Sequence, residues 1–153
     1  MKKILISILL LMVPASLPAQ AHDDEPHAAL DISQVWARKT GSRTASAAVY
    51  LNIKNSSETM DRLLSVGSAR ASMAMIHRSF EQDGIMRMEM QDSVEIRPGT
   101  TVSFEPGGLH IMLTNLDAPL KQGQVFPLRL TFEHVGEVEI YVEVTGIAGL
   151  EKQ

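Results

Sequence analysis

Along most of the chain, apolar and polar residues alternate one by one. Val138, Ile140, Val142 and Val144 are interleaved with Glu137, Glu139, Tyr141 and Glu143, and Leu128, Leu130 and Phe132 with Arg129, Thr131 and Glu133. A period of two sends successive side chains to opposite faces, so each run reads as a half-buried strand. The pattern predicts strands at Ile32–Arg38, Ala47–Ile53, Arg62–Val66, Met73–Ser79, Ile85–Met90, Val94–Ile96, Thr101–Phe104, Leu109–Leu113, Val125–Phe132 and Glu137–Val144. Turn-forming residues separate them, among them Asn55-Ser56-Ser57, Gln82-Asp83-Gly84, Arg97-Pro98-Gly99 and Glu105-Pro106-Gly107-Gly108. No twelve-residue stretch has a 3.6-residue period; only the Ser/Ala-rich piece Ser65–Ala74 has room for a helical turn. Many short strands at close spacing predict an all-β domain, a sandwich or Greek-key barrel.

The N-terminus breaks this pattern. Lys2 and Lys3 precede an apolar run from Ile4 to Val13, and Ala19-Gln20-Ala21 offers a small-x-small cleavage site. This is the layout of a secretory signal peptide. The apolar run is half the roughly twenty residues a membrane helix needs, so no membrane span is expected after cleavage. Residues 1–21 are therefore read as a signal peptide cut near Ala21, 22–30 as a flexible polar leader, and 31–150 as one domain. The mature protein is expected outside the cytoplasm.

Composition sharpens the chemistry. The 153 residues include nine Met but no Cys, against four Phe, two Tyr and one Trp. Without Cys there is no disulfide, thiolate zinc site, iron–sulfur cluster, thiol nucleophile or lipid-acylation site. Loss of Lys2 and Lys3 with the signal takes the formal charge from −4 to −6, which argues against a nucleic-acid partner.

The remaining Met and His residues are placed rather than scattered. Met73, Met75 and His77 are spaced two apart, as are Met86, Met88 and Met90, and again His110 and Met112. In strands each set shares a face, with neighbours about 7 Å apart, close enough for long side chains to converge. Thioether sulfur is soft and neutral and imidazole is borderline, a donor set suited to Cu(I). No Asp-x-Asp calcium loop or His-Glu-x-x-His helix competes with it. With Leu109, Ile111 and Leu113 directed to the core, His110 and Met112 are expected to point towards solvent, a rim or a second sheet. Met73, Met75, Met86 and Met90 are expected to pack, Met60 to sit in a loop or at a strand edge, and His134 to stand exposed in a turn.

His77, ten intervening residues, Met88, twenty-one more, then His110-Ile111-Met112 resembles the His-x10-Met-x21-His-x-Met motif of the periplasmic copper chaperones called PCu(A)C. The stretches Asp83-Gly84-Ile85-Met86-Arg87-Met88, Pro106-Gly107-Gly108-Leu109 and Leu128-Arg129-Leu130-Thr131-Phe132-Glu133 also look like the family, over roughly Trp36 to Val144. Two features depart from it: Met75-Ile76-His77 stands where Glu-Leu-His is frequent, and the chain ends at Leu150-Glu151-Lys152-Gln153 without a Met/His-rich tail.

The resemblance implies a cupredoxin-like β-barrel and a Cu(I) site made by His77, Met88, His110 and Met112. It implies a non-enzymatic carrier that releases copper by ligand exchange. The end user would be the copper A centre of cytochrome c oxidase, with a Sco-type thiol chaperone as intermediary. Two other readings use features of the same sequence. One is a periplasmic copper buffer with the same site. The other is a copper enzyme in which the amine and imidazole of His22, with His27, chelate Cu(II); the same pair could form a weaker secondary Cu(II) site.

Overall fold

The computed structural model describes residues 29–146. The described residues form ten strands: β1 (Leu30–Arg38), β2 (Ser46–Asn55), β3 (Asp61–Gly67), β4 (Ala71–Gln82), β5 (Ile85–Gln91), β6 (Val94–Ile96), β7 (Thr101–Phe104), β8 (Leu109–Leu116), β9 (Val125–Phe132) and β10 (Glu137–Thr145). All ten expected strands are present. Ser65–Ala74 holds no helical turn: β3 runs on to Gly67, and a tight turn over 68–70 leads directly into β4. Three residues are too few for a helical turn of 3.6 residues between the strands, and the Ala71 N–H instead closes a turn onto Ser68 O at 3.4 Å. The proposed signal and most of the leader, including His22 and His27, lie outside the described residues, while β1 already begins at Leu30.

The strands form one ladder in the order β5-β4-β8-β7-β2-β1-β10-β9-β3-β6, with β8 also paired to β2. Most neighbours are antiparallel; β1–β10 and the short β7–β8 contact are parallel. This ladder cannot lie flat. β3 and β4 are six strand spacings apart even through the β8–β2 pairing, roughly 29 Å at about 4.8 Å per strand. A three-residue connection reaches only about 14 Å. The constraint is tighter at the ends, where Asp92 and Ser93 alone join β5 to β6, the first and last strands of the order. The sheet must therefore roll until its two margins lie close together, giving the expected all-β body as one rolled, open sheet.

The rolled interior takes the alternate residues that the pattern assigned to it. Val49, Leu51 and Ile53 of β2, Ile111 and Leu113 of β8, Phe126 to Phe132 at alternate positions of β9, and Val142 and Val144 of β10 are all buried in one cluster. Asn55 fixes the roll from inside: its Nδ2 donates to Ile96 O of β6 at 2.9 Å and to Thr59 O at 2.8 Å. Asp61, also buried, accepts from the backbone N–H groups of Arg62, His134 and Val135. His134 itself stands exposed in its turn, and Met60 lies at the edge of β3, both as expected.

One irregularity decides which residues face outward. Between Ser33 and Trp36 the β1–β2 register slips by one, with Gln34 at φ +51°. A bulge of this kind inverts the facing of everything beyond it. It turns Ala37 into the core and sets Trp36 outside, across from Tyr50 with ring centroids 4.6 Å apart.

Candidate metal centre

The candidate residues sit on the outer face of neighbouring strands β5, β4, β8 and β2. The β4–β5 hairpin closes with Asp83 and Gly84 at φ +54° and +75°. Positive φ at both central residues is the two-residue turn whose twist matches antiparallel strands, and Asp-Gly is a favoured pair for it. That turn pairs Gln82 with Ile85, and the ladder then sets Ser79 opposite Met88 and His77 opposite Met90. On the other side of β4, Met75 faces Met112 and His77 faces His110. His77 is thus the centre of the constellation, with thioethers on β5 to one side and the His110/Met112 pair to the other.

Met88, His110 and Met112 line one cavity of about 270 Å³, together with Tyr50, Ala48, Ser46 and Ser79. Small residues on β2 make the depression; Tyr50 closes one end of it. His77 adjoins the cavity through His110, the two imidazoles meeting edge to face with centroids 5.8 Å apart and planes at 86°. The structure therefore brings His77, Met88, His110 and Met112 to one place. Larger depressions exist elsewhere, one of about 390 Å³ beside Arg78, Gln91 and Glu95, but they contain no His or Met.

His110 narrows an expectation, since of solvent, a rim or a second sheet it excludes open solvent. It lies on the outer face, opposite Ile111 and Leu113, but only 5% of it is exposed. An outer face is not a bare face here, because Tyr50, Met88 and Gly107 border the same cavity. Burial fixes the ring as well: Nδ1 lies 3.1 Å from Gly108 O, a carbonyl that can only accept. Nδ1 therefore carries the proton and Nε2 keeps the lone pair, the usual arrangement for an imidazole that ligates through Nε2.

His77 has the complementary feature. Its Nδ1 is buried with no hydrogen-bond partner among the described residues. Such a polar atom costs about 1–3 kcal/mol and calls for an explanation; a ligand at this nitrogen is one. Burial, and secondarily the neighbouring His110, hold the His77 pKa below the ordinary imidazole value of 6.5. The ring is thereby kept neutral and able to donate its lone pair. Burial likewise raises the Tyr50 hydroxyl, with Arg38 opposing in part.

The donor set is soft. Among the described residues no three His, Asp or Glu side chains cluster closely enough to hold a metal ion. Any ion held here would rely on thioethers as well as the two imidazoles. Neutral donors of this kind suit Cu(I) and leave hard divalent ions uncompensated.

The other methionines overturn an expectation. Met73, Met86 and Met90 do not pack; they are 51%, 60% and 62% exposed, and Met88 itself is 53% exposed. The pattern of alternation was sound, but β5 ends the ladder and both of its faces meet solvent. The position of Met90 across from His77 went unremarked in the sequence, yet the signal was there. A two-residue turn at Asp83-Gly84 fixes every pairing of that hairpin. The part of Tyr50 could not be read in the same way, because it depends on the β2–β8 pairing.

Comparison with known proteins gives the same picture. The LpqE-like family, described as "Putative lipoprotein LpqE-like", matches residues 30–144. "Putative lipoprotein Lxx21020" of Leifsonia xyli subsp. xyli (strain CTCB07) is 30% identical over 135 residues, covering 87% of this chain and 80% of its own. The "Copper-bound PCuAC domain from PmoF2" superimposes with a TM-score of 0.66 at 26% identity, over 77% of this chain and 93% of that one. The solution structure of CuI-DR1885 from Deinococcus radiodurans shares the fold, with a TM-score of 0.56 at 18% identity over 75% of this chain and 77% of that one. The rolled sheet is accordingly cupredoxin-like. The word lipoprotein belongs to those relatives. On the span of the family match and the likeness to PCuAC domains, this chain belongs to the LpqE-like, PCuAC-related family.

Proposed function

We propose that this protein is a periplasmic Cu(I) carrier that binds one ion through His77, Met88, His110 and Met112. The observation that carries the reading is the meeting of two imidazoles and two thioethers at one outer cavity, with Nδ1 of His77 buried and unpartnered among the described residues. The copper-bound PmoF2 domain, alike in fold and 26% identical, supports copper as the cargo. The donors are neutral and Met88 is half exposed. A partner's thiolate or imidazole can displace them one at a time, so the ion is passed without being released, oxidised or used in covalent chemistry. The acceptor we propose is the copper A centre of cytochrome c oxidase, reached directly or through a Sco-type thiol chaperone.

Anaerobic Cu(I) titration against a competing chelator tests the site. Wild type should take up one equivalent tightly, and a His110→Ala/Met112→Ala variant should lose it; unchanged affinity in that variant would sink the reading. Incubation of the loaded protein with the apo copper A domain then tests delivery. Copper retained by the loaded protein would point to storage instead.

A further inference from the structure

We infer that Met90 is an exchange ligand for Cu(I), a second thioether that takes the ion from the cavity to the exposed rim of β5. The inference rests on the proposed site and adds a position to it. In the β4–β5 ladder Met90 stands directly across from His77, whereas Met88 faces Ser79 and reaches His77 only diagonally. Directly paired side chains have Cβ atoms about 4.5–5.5 Å apart, and diagonal ones about 7–8 Å. Met88 lines the cavity and Met90 does not. His77 therefore has two thioethers within reach on one strand, Met88 half exposed at the cavity's edge and Met90 outside it.

Packing does not account for Met90. It is 62% exposed on the end strand of the sheet, so it forgoes most of the roughly 1.5–3 kcal/mol that burying such a side chain gains. Arg87 and Glu89 occupy the opposite face of β5, so the methionine face is apolar by placement rather than by a general lack of polar residues. Chemically the step is a ligand substitution. A Cu–S bond to Met90 forms as the Cu–S bond to Met88 breaks, while His77, His110 and Met112 stay bound until an incoming donor replaces them. Both sulfurs are neutral thioethers, so the ion remains Cu(I) and neither an electron nor a proton moves. The ion then lies where an incoming donor can reach it.

Leucine replaces methionine at similar volume, and β5 is exposed, so Met90→Leu preserves the fold. Wild type and this variant are loaded anaerobically with one equivalent of Cu(I), and removal by bicinchoninate is followed by stopped flow. The variant should keep its affinity within about twofold and release copper about tenfold more slowly, as expected when one stabilising contact is lost from the barrier. In wild type labelled at the methionine methyls, the Met90 signal should shift or broaden on loading. An unchanged release rate, or an unmoved Met90 methyl, overturns the exchange role while leaving the four-residue site intact. Loss of binding in Met90→Leu overturns it too, making Met90 a permanent ligand. Failure of wild type to bind at all removes both readings.

Discussion

His77 and His110 face each other across the β4–β8 ladder, their rings edge to face at 5.8 Å. Two imidazoles this close are a poor pair to protonate together. The lowered pKa of His77, due first to burial and then to His110, has a directional consequence for stability. The unfolded chain takes up its proton near pH 6.5, the folded protein only at lower pH. Between the two, the unfolded state binds more protons, so stability rises with pH across that window and is complete above it. Chemical denaturation in steps from about pH 5 to about pH 7.5 should show this rise, reduced in His77→Gln. An NMR titration should place the His77 midpoint below 6.5; a midpoint at or above that value would contradict the account.

The hydrogen bond from His110 Nδ1 to Gly108 O predicts a single tautomer before any metal arrives. Long-range proton–nitrogen correlation on the apo protein at neutral pH should show Nδ1 protonated and Nε2 bearing the lone pair. A ring protonated at Nε2 would remove the reason for assigning ligation to that atom.

Gly84 offers a test of how far turn chemistry sets the site. At φ +75° with open space around its Cα, Gly84→Ala creates no clash, and its cost is backbone strain, about 1–2 kcal/mol. The hairpin it closes places Met88 and Met90. The variant should therefore lose about that much unfolding free energy and also bind Cu(I) more weakly. A stability loss with copper affinity unchanged would uncouple the turn from the site.

A core substitution separates fold from function. Leu128 is fully buried in β9, away from the cavity, and Leu128→Ala should cost about 2–5 kcal/mol. Below its lowered melting point the variant should still bind one Cu(I). Weakened binding at full folding would show that the sheet transmits strain to the site.

The strands were legible because each is a run of side chains alternating between one core and solvent, and that alternation needs no knowledge of neighbours. The limits Val94–Ile96, Thr101–Phe104 and Val125–Phe132 emerge unchanged. The bulge at Gln34 was not legible, since Gln at positive φ has no compositional mark, and with it went the outward placement of Trp36. For the site, spacing singled out His77, Met88, His110 and Met112, which the ladder sets on one side of the sheet. It could not show that His110 is buried, because Tyr50 reaches it only through the pairing of strands about sixty residues apart. Exposure of Met73, Met86 and Met90 was missed for a related reason. Alternation reports that two faces differ, not whether either one is covered.

The short tie between β5 and β6 bears on how such an apolar border survives in solution. A bare end strand invites the edge of another molecule, and strands that hang on long hinges are readily traded between copies. β5 is clamped at one end by Asp83-Gly84 and at the other by Asp92-Ser93, which binds it to the far margin of the same sheet. It has no slack to peel away and be exchanged. Arg87 and Glu89, spaced along that border, also deter a neutral β partner from lining up against it. The methionines can thus be offered to a visitor for a brief encounter without making the strand a seed for fibres.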